Sequence, residues 1–216
     1  MGTVHNGDCN GGQSPFVGLK AYILAGGRGA RLSPDKGFLT VGGAPIIERV
    51  RAAAAPLVDE VVLVGDPAPL QRLGLRVITE ADEGGGPLAA LCAALVDAEP
   101  DDALVLPWDA PFVSTAMLAF LRDQRGSVGA VVPRRGELIE PLCAVYGPEC
   151  LEPAQEAFAA GRRRTVSFYE QIAVRWITEE ELAPFGDWDR LFLNVNTAED
   201  LERARRLADP EQEETR

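Results

Sequence analysis

From residue 20 onward, short apolar runs of β type alternate with helical patterns that carry recognisable ends, and few architectures accept that alternation. The runs fall at 21–24, 60–64, 76–79, 103–106, 128–133, 142–146, 173–177 and 192–195. Between them, Pro45 suits the first turn of a helix that runs through Ile46 and Val50, and Pro87 opens one over 88–98. Ser114 caps a helix at 115–124, Gly161 ends one at 152–160, and Thr197 with Asp200 caps 198–208. Strands interleaved with helices predict an α/β chain: a Rossmann-like three-layer sandwich whose mostly parallel sheet is covered on both faces. In such a sheet, ligands bind where the carboxyl ends of the strands meet their loops. Gly26-Gly27, Glu80, Asp109 and 194–196 should therefore share one rim.

The first strand carries the strongest functional signal. Ala21-Tyr22-Ile23-Leu24 runs into Ala25-Gly26-Gly27 and then a loop holding Arg28, Arg31 and Lys36. Glycines let a backbone approach an anion and turn several N–H groups toward it, while the cations supply opposite charge. The spacing excludes two familiar phosphate loops. A P-loop needs Ser or Thr after its lysine, where Gly37 stands, and the dinucleotide fingerprint needs glycine where Leu32 stands.

Composition sharpens this reading. The chain has 216 residues, 46% of them hydrophobic and 25% charged, as in an ordinary globular protein. That length suits one domain over 19–208, with a disordered lead-in at 1–18 and a frayed acidic tail at 209–216. No uncharged stretch approaches the ~20 apolar residues of a membrane span, and 1–18 lacks a secretory core, so a cytoplasmic location is expected. The formal net charge of −12 argues against a nucleic-acid partner and makes local clusters of cations informative. Cys9, Cys92, Cys143 and Cys150 show no paired spacing and fit a reducing compartment. The single histidine, His5, sits in the expected tail, so any chemistry proceeds without an imidazole.

Four further segments bear on a ligand. Asp109, in Pro107-Trp108-Asp109-Ala110-Pro111 beyond an apolar run, suits Mg²⁺, which takes one or two carboxylates plus phosphates and water. Glu83-Gly84-Gly85-Gly86-Pro87 can pass flat against a nucleobase, or serve only as loop chemistry before a helix. Asn194 and Asn196 sit at alternate positions and either face a common ligand or satisfy the turn before Thr197. Arg162-Arg163-Arg164 either meets an anion or complements a helix C-terminus.

Taken in order, Leu24-Ala25-Gly26-Gly27, Arg31, Asp35-Lys36-Gly37, Gly86-Pro87-Leu88, Pro107 to Pro111 and Asn194-Val195-Asn196-Thr197 resemble the molybdenum cofactor guanylyltransferases. These lie within the nucleotidyltransferase group of nucleotide-diphospho-sugar transferase fold. The resemblance implies transfer of GMP from GTP to the phosphate of molybdenum-molybdopterin, with release of pyrophosphate. It implies nucleotide contacts at Leu24, Ala25, Gly26, Gly27, Glu80, Gly86 and Pro87, and catalytic roles for Arg31, Lys36 and Asp109, with Mg²⁺ on Asp109. It further implies acceptor contacts at Asn194, Asn196, Arg163 and Arg164, with molybdoenzymes or their chaperones as downstream partners. The chain departs from the family pattern at Leu32-Ser33, Glu80 and Val64-Gly65. A cytidylyltransferase of the same cofactor and a sugar-1-phosphate nucleotidyltransferase are the alternatives. A nucleotide sensor without transfer activity stands as a third.

Overall fold

In a computed structural model, residues 18–25, 36–80 and 85–209 are described. The chain starts with β1 (Leu19–Ala25), the small ribbon β2 (Thr40–Val41) and β3 (Ala44–Pro45), helix α1 (Ile46–Ala54) and β4 (Glu60–Gly65). It continues through α2 (Pro67–Leu70), β5 (Arg76–Ile78), α3 (Gly86–Ala98), β6 (Asp102–Pro107) and α4 (Thr115–Asp123). Then follow β7 (Ala130–Arg135), β8 (Leu138–Ile139), β9 (Ala144–Tyr146), α5 (Leu151–Ala159) and β10 (Val174–Ile177). Three helices close the series: α6 (Glu179–Leu182), α7 (Trp188–Leu191) and α8 (Ala198–Ala208).

The main sheet is eight-stranded and reads β10-β7-β9-β6-β1-β4-β5, with β8 paired to β7. β1 lies parallel to β4 and β6, β4 to β5, and β7 to β10. Only β9 runs against its neighbours β6 and β7 within that path.

Side chains alternate across the central strands with the period of two that a pleat imposes. Ala21 and Ile23 of β1 join Leu104 and Leu106 of β6 in a layer with α1, α4 and α8. Tyr22 and Leu24 join Ala103 and Val105 in the opposite layer with α3 and α5. Both faces are covered, which is why these strands read as continuous apolar runs. The α/β layered architecture is as expected, and no helix among the described residues is long and apolar enough to cross a membrane.

One expected strand does not form. Phe192 to Val195 is irregular, because its backbone donors go elsewhere: Leu193 N to Arg190 O, and Val195 N to Asp109 O at 2.9 Å. Leu193 and Val195 are nonetheless buried. Their alternation with Asn194 and Asn196 comes from a loop wedged between core and rim, not from a pleat.

The caps form as their chemistry dictates. Ser114 Oγ accepts from Met117 N, and Thr197 with Asp200 forms a reciprocal capping box at the start of α8. Thr197→Ala should cost about 1 kcal/mol, read by chemical denaturation, while α8 stays in place through buried Leu201 and Ala204.

Candidate active site

The centre of the site is a buried ion pair assembled from three distant parts of the chain. Strand β6 delivers Trp108 and Asp109 to the sheet's carboxyl rim, where Trp108 N donates to Leu24 O at 3.3 Å. Asp109 is only 7% exposed, and Lys36, in the tight turn Lys36–Phe38, only 8%. The Lys36 ammonium donates to Asp109 Oδ2 and also to Asn196 Oδ1, the latter at 2.7 Å. Asp109 O in turn accepts from Val195 N, which ties the 194–196 segment to the Trp108 loop. A buried lysine and carboxylate are tolerable only as such a hydrogen-bonded pair.

Around this pair lies a cavity of about 540 Å³. Its wall holds Glu80, just beyond β5, and Gly86, Pro87 and Ala90 of α3. Leu24 of β1, Trp108 and Asp109 beyond β6, and Lys36 line it too, and β1 and β6 lie between β5 and β9 in the sheet. Glu140, Pro141 and Leu142, just before β9, line it with Asn194, Asn196 and Thr165. Two buried polar atoms there have no hydrogen-bond partner among the described residues: Asn194 Oδ1 and Trp108 Nε1. Buried polar groups are nearly always satisfied, so both are available to a ligand.

Gly86 has a reason to be glycine. Its φ is +75°, and a Cβ would meet Arg163 O at 3.3 Å. Leu88 N donates to the same carbonyl at 3.2 Å, which fastens the start of α3 to the 162–164 segment.

The expected residues therefore divide into groups. The structure brings Leu24, Lys36, Glu80, Gly86, Pro87, Asp109, Asn194 and Asn196 to one cavity. Ala25 does not line it and packs in the α1 layer. Arg163 and Arg164 are exposed and outside the cavity wall. The Arg163 guanidinium stacks over Phe158 and donates to Phe158 O at 3.2 Å, at the end of α5, which is the helix-terminus arrangement. Gly26, Gly27, Arg28 and Arg31 lie outside the described residues, as do Cys9 and His5.

Sequence reasoning missed Glu140, Pro141, Leu142, Ala90 and Thr165. The Glu140 to Leu142 segment precedes a strand, whereas the ligand-bearing segments of a parallel sheet follow their strands. Because β9 is antiparallel, its start reaches the same rim as its neighbours' ends. Burial in this wall pushes the Glu140 carboxyl up to about 7, partly countered by the charge of Arg135.

Residues 21–176 match the family described as the MobA-like NTP transferase domain. A protein of Pelotomaculum thermopropionicum named "Probable molybdenum cofactor guanylyltransferase" is 36% identical over 87% of this chain and 92% of its own length. The molybdenum cofactor guanylyltransferase of Desulfosudis oleivorans is 32% identical over 86% of this chain and 94% of its own. Among solved structures, molybdopterin-guanine dinucleotide biosynthesis protein A from Archaeoglobus fulgidus superposes with a TM-score of 0.75 at 27% identity. That superposition covers 88% of this chain and 99% of the other.

Proposed function

The chain belongs to the MobA-like NTP transferase family and is a nucleotidyltransferase, and on that premise we propose that it transfers GMP from GTP to the phosphate of molybdenum-molybdopterin, releasing pyrophosphate. The observation that carries the proposal is the buried Lys36–Asp109–Asn196 centre in the wall of one cavity that also holds Glu80, beyond β5, and Glu140, before β9, two strands that the sheet order sets on opposite sides of β1 and β6. Two substrates entering from those two sides would meet at that centre. The side of Glu80, Gly86 and Pro87 takes the nucleotide, and the side of Glu140 to Leu142 takes the acceptor.

This chemistry asks little of a base. A phosphate monoester has its second pKa near ~6, so the attacking oxygen is already largely anionic at neutral pH. Its demands are alignment and charge compensation as pyrophosphate leaves. Lys36 has three N–H donors, and Asp109 and Asn196 engage two, which leaves the third for a phosphate oxygen. Asp109 also orients the ammonium and, through its backbone oxygen, holds the 194–196 segment. Arg31, Gly26 and Gly27 are assigned to the phosphates in the same reading.

Asp109 fits a hard divalent cation. It offers carboxylate oxygen in the cavity. That donor set matches Mg²⁺, which is content with one protein carboxylate and completes its shell on phosphates and water. Bound there, Mg²⁺ would supply neutralisation of the triphosphate charge.

The deciding experiment is pyrophosphate release with GTP, CTP, ATP and UTP, each with and without molybdenum-molybdopterin. Release with GTP and acceptor together is expected. Release with CTP instead would make the chain a cytidylyltransferase, and GTP binding without release would make it a sensor.

A further inference from the structure

Glu140 stands where two cavities meet. It lines the main cavity and also a neighbouring one of about 300 Å³, and Asn194 is the other residue common to both walls. Among the described residues, no hydrogen bond to the Glu140 carboxyl is present. The nearby cation Arg135, on β7, is already engaged by Glu179 at 3.3 Å and Asp189 at 2.6 Å. Arg203 of α8 and Asp189 of α7 line the smaller cavity too, while Lys36 and Asp109 share the larger one.

The sign of the charge is the informative point. Unlike Asp109, whose charge the Lys36 ammonium compensates, the Glu140 carboxyl has no hydrogen-bonded cation among the described residues, so it repels phosphate and marks a stretch of wall that faces something else. What a half-buried carboxylate rewards is a ligand offering two adjacent N–H donors, as an Arg fork or an aminopyrimidinone edge does. A pterin ring presents such an edge in its 2-amino-4-oxo half. Guanine carries the same edge, but position separates the two. The strand sequence β5-β4-β1-β6-β9 puts Glu140, just before β9, four strand spacings from Glu80, just after β5. At ~4.8 Å per spacing that is about 19 Å, on the far side of Asp109 from the nucleotide end.

We infer that Glu140 is a specificity-determining residue that binds the aminopyrimidinone edge of the acceptor's pterin ring, an inference that rests on the acceptor proposed above. The phosphate of that acceptor then extends from the ring toward Lys36 and Asp109.

The test uses Glu140→Gln and Glu140→Ala in the full chain, with thermal unfolding to verify folding. Neopterin, a fluorescent pterin without phosphate, reports the ring's binding directly. Its Kd should rise about ten- to a hundredfold in both variants, the size expected for two charge-assisted hydrogen bonds. In the transfer assay the KM for molybdenum-molybdopterin should rise alongside, with kcat and the KM for GTP changed by no more than about twofold. Wild-type affinity for neopterin should fall as pH drops through about 7, where the carboxylate takes up a proton, and should be flat in Glu140→Gln. Unaltered neopterin binding in both variants, or a rise in the KM for GTP alone, would overturn the inference. Absence of pyrophosphate release by the wild type with every nucleotide would instead sink the transfer reading, and neopterin binding would then decide the role of Glu140 by itself.

Discussion

Asp109→Ala is expected to lower pyrophosphate release by about a hundred- to a thousandfold, the usual scale for losing one preorganised electrostatic group at a reacting phosphate or acyl centre. The same change should also destabilise the fold. It strands the Lys36 ammonium, 8% exposed, with Asn196 as its one remaining partner among the described residues, and breaking a buried pair from one side costs roughly 3–5 kcal/mol. A second variant separates the two effects. In Lys36→Met combined with Asp109→Leu, no charge is left buried without a partner, so most of the stability should return in a denaturant titration. Activity should not return with it. Near wild-type turnover in Asp109→Ala would refute the role given to this carboxylate, whatever its stability.

The second large effect is expected at a residue with no side chain. A Cβ built on Gly37 would lie 2.4 Å from Trp108 Cε3 and 2.8 Å from Cδ2, far inside contact distance. Trp108 cannot swing away cheaply, since it is 6% exposed and packed edge-on against Phe38 at a centroid distance of 6.2 Å. Lys36 precedes Gly37 and Asp109 follows Trp108, so the clash pushes the two charged groups apart. Gly37→Ala should cost about 1–3 kcal/mol by overpacking. Its larger signature is a fall in kcat of about a hundredfold, the scale of a displacement near 1 Å at a reacting centre. Gly43→Ala is the control. Gly43 has φ +79° with nothing near a Cβ, so alanine there should lose about 1 kcal/mol from backbone strain and leave kcat unchanged. Equal turnover in both glycine variants would contradict the tight coupling of the Trp108 loop to the Lys36 turn.

Much of this arrangement was legible before any coordinates. Strands buried on both faces announce themselves as uninterrupted apolar runs, so β1, β4 and β6 were readable directly. Ser114 and Thr197 marked helix starts because a side-chain oxygen must satisfy donors there. Glu80 and Asp109 were legible on one rim because parallel strands deliver their ends to one side, whereas Asn194 reaches that rim from a loop and not from a strand end. The 192–195 segment misled, since alternation of apolar and polar residues arises in any extended segment pinned between a core and an opening. Leu193 and Val195 satisfy that pattern with no strand partner among the described residues.

What the residues determined alone was therefore local and periodic: which segments are buried, where helices begin, and which charged groups follow a strand. Those properties depend on neighbours within a few positions. Tertiary structure decided the rest. An apolar run such as Ala144 to Tyr146 has no direction written in it, and only its antiparallel pairing with β6 and β7 brought Glu140 to the rim. Likewise, nothing within a few residues of Lys36 says that its ammonium will be held by Asp109 and Asn196. Such contacts exist because burying a charge demands an opposite one, and the sheet chooses which distant residue can supply it.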